Sequence, residues 1–331
     1  MSIRRTSGLV GALALALVVT GCSSSDGKSD AEGKGKTRVF AADNGKITIP
    51  EKPKRVVATG YAVPALIEAD APLVGISSWK RGEPMMDAKT LATYKKLPKV
   101  AGELATETNY DAIAEAEPDL IVIGVPAPVL GDIDVKRLEG IAPVVAIGPT
   151  KPSAWRTLSH QQADAAGSLK QFDAVKTQYE TKAAALKEKY KGVLPKLKFG
   201  HLGSYGESAK GTFQREFSGS WGTNIAEDAG AVYYGKVKNP GPGSKGVSEY
   251  PSIEELPASF READVITYSV KADGSLPESV KYAMDSKLWK NLPAVKAGKT
   301  IPIRYTEAAT YGQGMQTLDA IDKAFAPLLK P

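Results

Sequence analysis

The chain has 331 residues, a formal net charge of +6, one cysteine and two histidines. A single cysteine excludes an internal disulfide and a cysteine-rich metal cage, and the mild basic excess is far from the concentrated stripe that nucleic-acid binding requires. The length suffices for two lobes of ordinary size, each burying its own core.

In chain order, Arg4 and Arg5 form a basic n-region, Gly8 to Val19 an apolar run, and Val19-Thr20-Gly21-Cys22 follows at once. A helix that crosses a bilayer needs ~20 apolar residues, so the run reads as the h-region of a bacterial lipoprotein signal. Small Thr20 and Gly21 give a peptidase access to the bond before Cys22. Residues 1–21 are therefore expected to be removed, leaving the Cys22 sulfur to carry a diacylglyceryl group and its freed amine open to acylation. Each buried methylene contributes ~0.8 kcal/mol, so two or more chains hold the protein on the outer face of the cell membrane where one is marginal. With Arg4 and Arg5 gone, the charge falls from +6 to +4. Residues 22–36, rich in Ser, Gly and Lys without a large apolar side chain, read as a flexible leash.

Short runs rich in Val and Ile follow: Arg55 to Thr59, Leu73 to Ser77, Leu120 to Gly124 and Val144 to Ile147. Such runs mark strands covered on both faces, and their alternation with helical stretches predicts an α/β lobe with a largely parallel sheet over residues 37–152. Ile113 to Glu117 reads as a helix stopped by Pro118 ahead of the LIVIG strand. The region 153–194 changes to a charged, Ala-rich pattern with Phe172, Val175, Tyr179, Leu186 and Tyr190 at mostly helical spacing, divided by Gly167 and ended by Pro195. Its portion from Ser168 to Lys191 would span ~36 Å, long enough to run beside two lobes. A second strand series, Leu197 to Leu202, Val265 to Tyr268 and Thr300 to Arg304, with a closing amphipathic helix from Met315 to Leu329, predicts a second α/β lobe over 195–331. The fold class expected is α/β: two Rossmann-like lobes, one long helix between them, and a ligand cleft where strand-end loops meet.

Three segments carry a resemblance. Asn109-Tyr110-Asp111-Ala112-Ile113, running on to Glu117-Pro118-Asp119-Leu120-Ile121-Val122, is similar to the pattern N-x-E-x-I, helix, x-P-D-L-I-V. Ser252 to Pro257, ending in Ala263-Asp264-Val265-Ile266, looks like its counterpart in the second lobe. Leu288-Trp289 to Ala294-Val295-Lys296-Ala297-Gly298 resembles W-x-x-L-x-A-V-K-x-G. Together they resemble the binding proteins of ABC importers for siderophores, haem and cobalamin, and most of all actinobacterial lipoproteins for ferric hydroxamates of the ferrioxamine type. The resemblance implies a non-enzymatic, monomeric receptor that hands a ferric siderophore to a permease driven by an ATPase. Within that family one acid on each lobe docks onto arginines of the permease, and Asp111 and Glu254 match those positions.

A ferric hydroxamate has an apolar skin and oxygens around iron, so its receptor needs aromatic walls and a few cationic donors. Strand-end loops offer Tyr61, Trp79, Lys80 and Arg81 in the first lobe. In the second, Tyr205, Arg215, Arg304 and Tyr311 join Trp221. Trp221-Gly222-Thr223-Asn224 resembles the family's W-G-R-G segment with Thr223 in place of the arginine, which leaves Arg215 or Arg304 to supply the cation. His160 and His201 are far apart in sequence with no partner at metal-ligand spacing, so no protein ligand to iron and no cofactor are expected; the metal arrives wrapped in its chelator. Gly241 to Gly246 formally matches G-x-G-x-x-G, but Pro240 and Pro242 make it a loop. Two other readings stand beside this one. A haem or cobalamin receptor would show its ligand's absorbance, and a secreted siderophore-processing enzyme lacks a visible nucleophile, redox cysteine pair or flavin motif. A single linking helix resists bending, so free and ligand-bound scattering profiles are expected to be nearly superimposable; a wide hinge motion on ligand addition would contradict this.

Overall fold

The computed structural model of the protein describes residues 35–329, so the signal segment, Cys22 and all but the end of the leash lie outside the described residues. Strands β1 (Thr37–Ala42) and β2 (Gly45–Pro50) form an antiparallel hairpin. The first lobe then sets β3 (Val56–Gly60), β4 (Leu73–Ser77), β5 (Lys99–Ala101), β6 (Leu120–Gly124) and β7 (Val144–Ala146) in a parallel sheet of order β5-β4-β3-β6-β7. Every residue of β3 and β6 is buried, which is why these runs carry no polar alternation. The second lobe contains β8 (Phe199–Gly203), β9 (Gln214–Glu216), β10 (Ser248–Glu249), β11 (Val265–Ser269) and β12 (Thr300–Ile303), in the order β10-β9-β8-β11-β12. Here β8, β11 and β12 are parallel, while β9 runs antiparallel to both β8 and β10. The fold is thus α/β with two lobes, as the strand runs predict. The hairpin buries only Phe40 and Ile49 fully, and β5, β9 and β10 span two or three residues each, too few to stand out in the sequence.

A helix at Trp155–Ala165 leaves the first lobe, Gly167 takes the left-handed conformation (φ +69°), and the linking helix occupies Leu169–Tyr190. It buries Phe172, Tyr179, Ala183, Leu186 and Tyr190, a stripe at spacings of three, four and seven that packs into the second lobe's core. Polar bonds hold it in place. Asp228 of the second lobe accepts from Tyr179 Oη and Arg156 Nη2, Asn224 Oδ1 accepts from Trp155 Nε1 (3.0 Å) and Arg156 Nη1 (2.9 Å), and Tyr190 Oη donates to Asp322 (2.7 Å). Burial works against the Arg156 charge, yet Asp228 and the Tyr179 hydroxyl outweigh it and favour the guanidinium.

The closing helix occupies Tyr311–Phe325, starting four residues before the expected Met315 because the Thr310 hydroxyl accepts from Gln313 N (3.2 Å) and caps it. Residues Ala326–Leu329 form a 3-10 turn instead of more helix. This N-terminus is also where the lobes meet. Glu68, last residue of the helix Ala62–Glu68 in the first lobe, accepts from Thr310 Oγ1 (2.5 Å) and Gly312 N (3.0 Å). The helix dipole and both bonds favour the carboxylate, but burial dominates and raises its pKa to about 7.

The folded protein therefore keeps a proton on Glu68 between pH 4.5 and about 7, where an unfolded glutamate has lost it, so stability falls as pH rises through that window. Glu68→Gln cannot ionise. Relative to wild type it should gain on the order of 3 kcal/mol from the bottom of the window to the top, read from urea midpoints. A difference that does not vary with pH would mean that Glu68 ionises normally.

Candidate functional site

Both sheets change direction at their centres. The chain leaves β3 toward β4 and β5 on one side and returns to β6 and β7 on the other; in the second lobe β8 has the equivalent place between β9 and β11. Loops at such switch points diverge and leave a crevice at the strand ends. Tyr61 follows β3 there, and its backbone N–H donates to Gly124 O at 2.9 Å. The approach requires two glycines: a Cβ on Gly124 would lie 2.2 Å from Ala62 N, and Gly60 has φ +60°.

The Tyr61 ring is the meeting point of the lobes. Trp79 packs edge-on against it at 4.8 Å, the Arg81 guanidinium lies 5.0 Å above it, and Trp221 of the second lobe stacks on it at 6.3 Å with planes 10° apart. Arg81 also covers Trp79 at 4.0 Å and pairs with Glu103 at 3.6 Å. Trp79 itself is only 3% exposed, with its backbone N–H bonded to Tyr94 Oη (2.8 Å). It is a platform beneath Arg81 and not a wall of the cleft, a correction to the expected contact: Gly82 of the turn Lys80–Met85 folds over its indole. Lys80, beginning that turn, is exposed.

In the second lobe the segment carrying Trp221 rests on a buried polar floor. Gly222 N donates to Glu216 Oε2 (2.6 Å), and a Cβ on Gly222 would lie 1.9 Å from His201 Nε2, so only glycine admits this approach. Both His201 nitrogens are engaged, by Thr267 Oγ1 (2.8 Å) and Ser269 Oγ (3.0 Å). Burial and then Arg215 lower the His201 pKa to about 3, keeping the ring neutral, while burial raises that of Glu216 to about 7. His160 meets Phe172 edge-on at 5.5 Å. Thr223 is fully buried and spends its hydroxyl on Phe217 O (2.7 Å), so it presents nothing in place of the family's arginine.

Three expected contacts of this lobe fall elsewhere. Arg215 is 1% exposed, with its guanidinium 4.6 Å from the Phe217 ring, 4.9 Å from Phe260, and bonded to Tyr234 O at 3.1 Å. It belongs to the core, because it lies on β9 inside the sheet. Tyr311, 6% exposed, packs within 5.5 Å of Trp155, Phe172 and Tyr179 in the core beside the linking helix. Arg304 lines a separate cavity of about 530 Å³ against the closing helix, with Tyr305, Gln316 and Lys323. Tyr205 does stand at the strand end, 48% exposed, its backbone N–H bonded to Gln214 Oε1 (2.8 Å). Desolvation of its hydroxyl end, then Glu307, raises its pKa.

Between the lobes is a groove of about 260 Å³, lined by Arg81, Pro84 and Met85 on one side and by Val270–Ala272 and Tyr305–Glu307 on the other. Gln316 Nε2 bridges to Met85 O at 2.8 Å along its edge. Tyr305 takes a left-handed conformation (φ +60°), which costs a non-glycine residue ~1–3 kcal/mol and clusters at functional sites. Two bonds hold the turn, Thr317 Oγ1 to Tyr305 O (2.7 Å) and Thr306 Oγ1 with Ser269 Oγ (3.1 Å). Tyr305 and Glu307, not their neighbours Arg304 and Tyr311, line this groove. The strand-end rule that finds Tyr61 finds them too when applied to β12.

On the outer surface, Asp111 sits in the first turn of the helix Tyr110–Glu115, capped by Asn109, with its side chain 86% exposed and paired with Arg137 at 2.8 Å. Glu254 is exposed in the turn Ile253–Glu255, while adjacent Glu255 pairs with Lys238 at 2.7 Å. Among the described residues no helix is long and apolar enough to cross a membrane.

Aromatic faces and a guanidinium brought together from two lobes can clasp a bulky organic ligand without chemistry. Comparisons with known proteins identify the family. The iron(3+)-hydroxamate-binding protein YxeB of Bacillus subtilis (strain 168) is 29% identical over 296 residues, 87% of this chain and 86% of its own. The siderophore periplasmic binding protein from the fuscachelin gene cluster of Thermobifida fusca superimposes with a TM-score of 0.66 at 28% identity, covering 84% of this chain and 98% of that one. Staphylococcus aureus SirA, solved with staphyloferrin B, shares the fold at TM-score 0.68 and 21% identity, over 88% and 99% of the two chains. A sequence profile for periplasmic binding protein matches residues 56–304, and with that span covering both sheets, the chain belongs to the periplasmic binding protein family.

Proposed function

We propose that the protein is a lipid-anchored, extracytoplasmic receptor that captures a ferric siderophore, a trihydroxamate of the ferrioxamine type, and delivers it to an ABC permease. The observation that carries this reading is the Tyr61–Trp221 pair across the lobes with Arg81 beside it. Flat aromatic faces suit the apolar skin of the chelate, and a guanidinium fork suits hydroxamate oxygens in a way that an ammonium does not. The relatives with hydroxamate and siderophore in their names support the ligand class. Iron stays with its chelator and the protein holds the organic coat.

At 6.3 Å the two rings leave no layer for a ligand group between them, so one of them swings aside on binding. Rotation of Trp221 achieves this without moving the lobes, in keeping with a linking helix bonded to the second lobe along its length. Its indole is therefore the reporter. Titrating the purified receptor with ferric hydroxamates, ferric catecholates, haem and cobalamin should give saturable tryptophan quenching with the first group alone. Trp221→Ala should remove most of that signal and weaken binding about thirtyfold, the loss of ~2 kcal/mol expected for a central aromatic anchor. Undiminished quenching in that variant would place the ligand elsewhere.

Delivery rests on different residues. Asp111 and Glu254 are exposed and are not part of the groove lining, as docking acids must be. The double variant Asp111→Asn, Glu254→Gln should keep ligand affinity within about twofold, since surface charges away from a site contribute little to it, while uptake into cells is lost. A drop in affinity would merge the two roles and overturn the assignment.

A further inference from the structure

The groove contains one group that aromatic capture of a neutral chelate does not require. Glu307 projects from the turn after β12, between Thr306, whose hydroxyl is bonded to Ser269, and Ala308 and Ala309, both buried. Ala309 N is bonded to Gln313 Oε1 at 2.9 Å, so both flanks of the residue are fixed and the carboxylate is held at the groove. Tyr61 and Arg81 of the first lobe and Tyr205 and Glu216 of the second are the titratable groups around it, with Lys271 on the same lining. None of the cations closes on it. Arg81 pairs instead with Glu103, and among the described residues no ion pair within 4.0 Å includes Glu307. A partly buried carboxylate without a cation is costly to keep, and a turn strained at Tyr305 holds it there.

The geometry points to Glu307 as a specificity residue that accepts a positively charged amine arm of the bound chelate. This rests on the hydroxamate reading and refines it. A ferric trihydroxamate core is neutral, because three hydroxamate anions balance the ferric ion. A linear chelator that ends in a primary amine adds one positive charge outside that core. Arg81 faces the oxygens and the rings face the methylene skin, which leaves Glu307 for the ammonium, with Tyr205 beside it to share the hydrogen bonding. A chelate without the amine leaves the partly desolvated carboxylate with no cation, and that difference produces selection.

The test compares two probes that share one iron core: ferrioxamine B, which carries the amine, and its N-acetyl derivative, which does not. Wild-type protein at low salt should bind the amine form about tenfold more tightly, the size of one charge-assisted hydrogen bond in a partly screened site. Glu307→Gln should collapse that ratio to about one, and raising the ionic strength should reduce it in wild type. Equal affinities in the wild-type protein, a comparison that involves no variant, would overturn the inference and leave the hydroxamate reading standing. A preference that persists in Glu307→Gln would overturn it too. Absence of binding by either probe would sink the hydroxamate reading, and the inference with it.

Discussion

The knot formed by Trp155, Arg156, Asn224, Asp228 and Tyr179 is the constraint on which the rest depends. A helix joining two globular halves by a single covalent path would otherwise leave their relative angle free. Here a guanidinium, a carboxylate, an amide and a phenol are removed from most of the solvent and satisfy one another, so bending the helix away would expose charges in broken partnerships. Glu68 on the N-terminus of the closing helix is a second tie between the lobes. Both ties leave the side chains at the rim as the parts of the crevice least constrained by the frame.

That frame also explains the polarity of the floor. His201, Glu216, Thr267, Ser269 and Ser220 lie buried beneath Trp221, where an apolar core would be simpler. Both imidazole nitrogens and one carboxylate oxygen have partners, and the histidine is kept neutral by its burial. Such a network specifies one position for the backbone above it, because any shift leaves a buried polar atom unpaired. The Trp221 indole is thereby presented from a fixed base, which suits the anchor role proposed for it.

The strands of the sheets and the linking helix were legible because burial on both faces writes near-continuous Val and Ile, and burial of one helical stripe writes a period near 3.6. Tyr61 and Tyr205 are marked in the sequence by their places just after buried strands, and Trp221 by a recognisable segment, and the structure sets Tyr61 and Trp221 face to face. Arg215, Tyr311 and Arg304 were misplaced for one shared reason. A large polar or aromatic residue near a strand end can face the crevice, the core or the outer surface, and the pleat and the exact start of the next helix decide which. Moving the closing helix four residues earlier was enough to draw Tyr311 into its first turn and so into the core. Trp79 shows the same limit from the other direction: adjacent to Arg81 in sequence, it lies under it in space.

What the residues alone determined is the class of fold, two α/β lobes with a long helix, which follows from composition and local periodicity. Tertiary structure decided which side chains share the crevice, and why Glu307 faces it without a cation. Those facts depend on contacts between segments far apart in the chain, such as Tyr61 with Trp221 and Glu68 with Thr310. Local sequence carries no term for the relative placement of two lobes, which only their packing against one helix supplies.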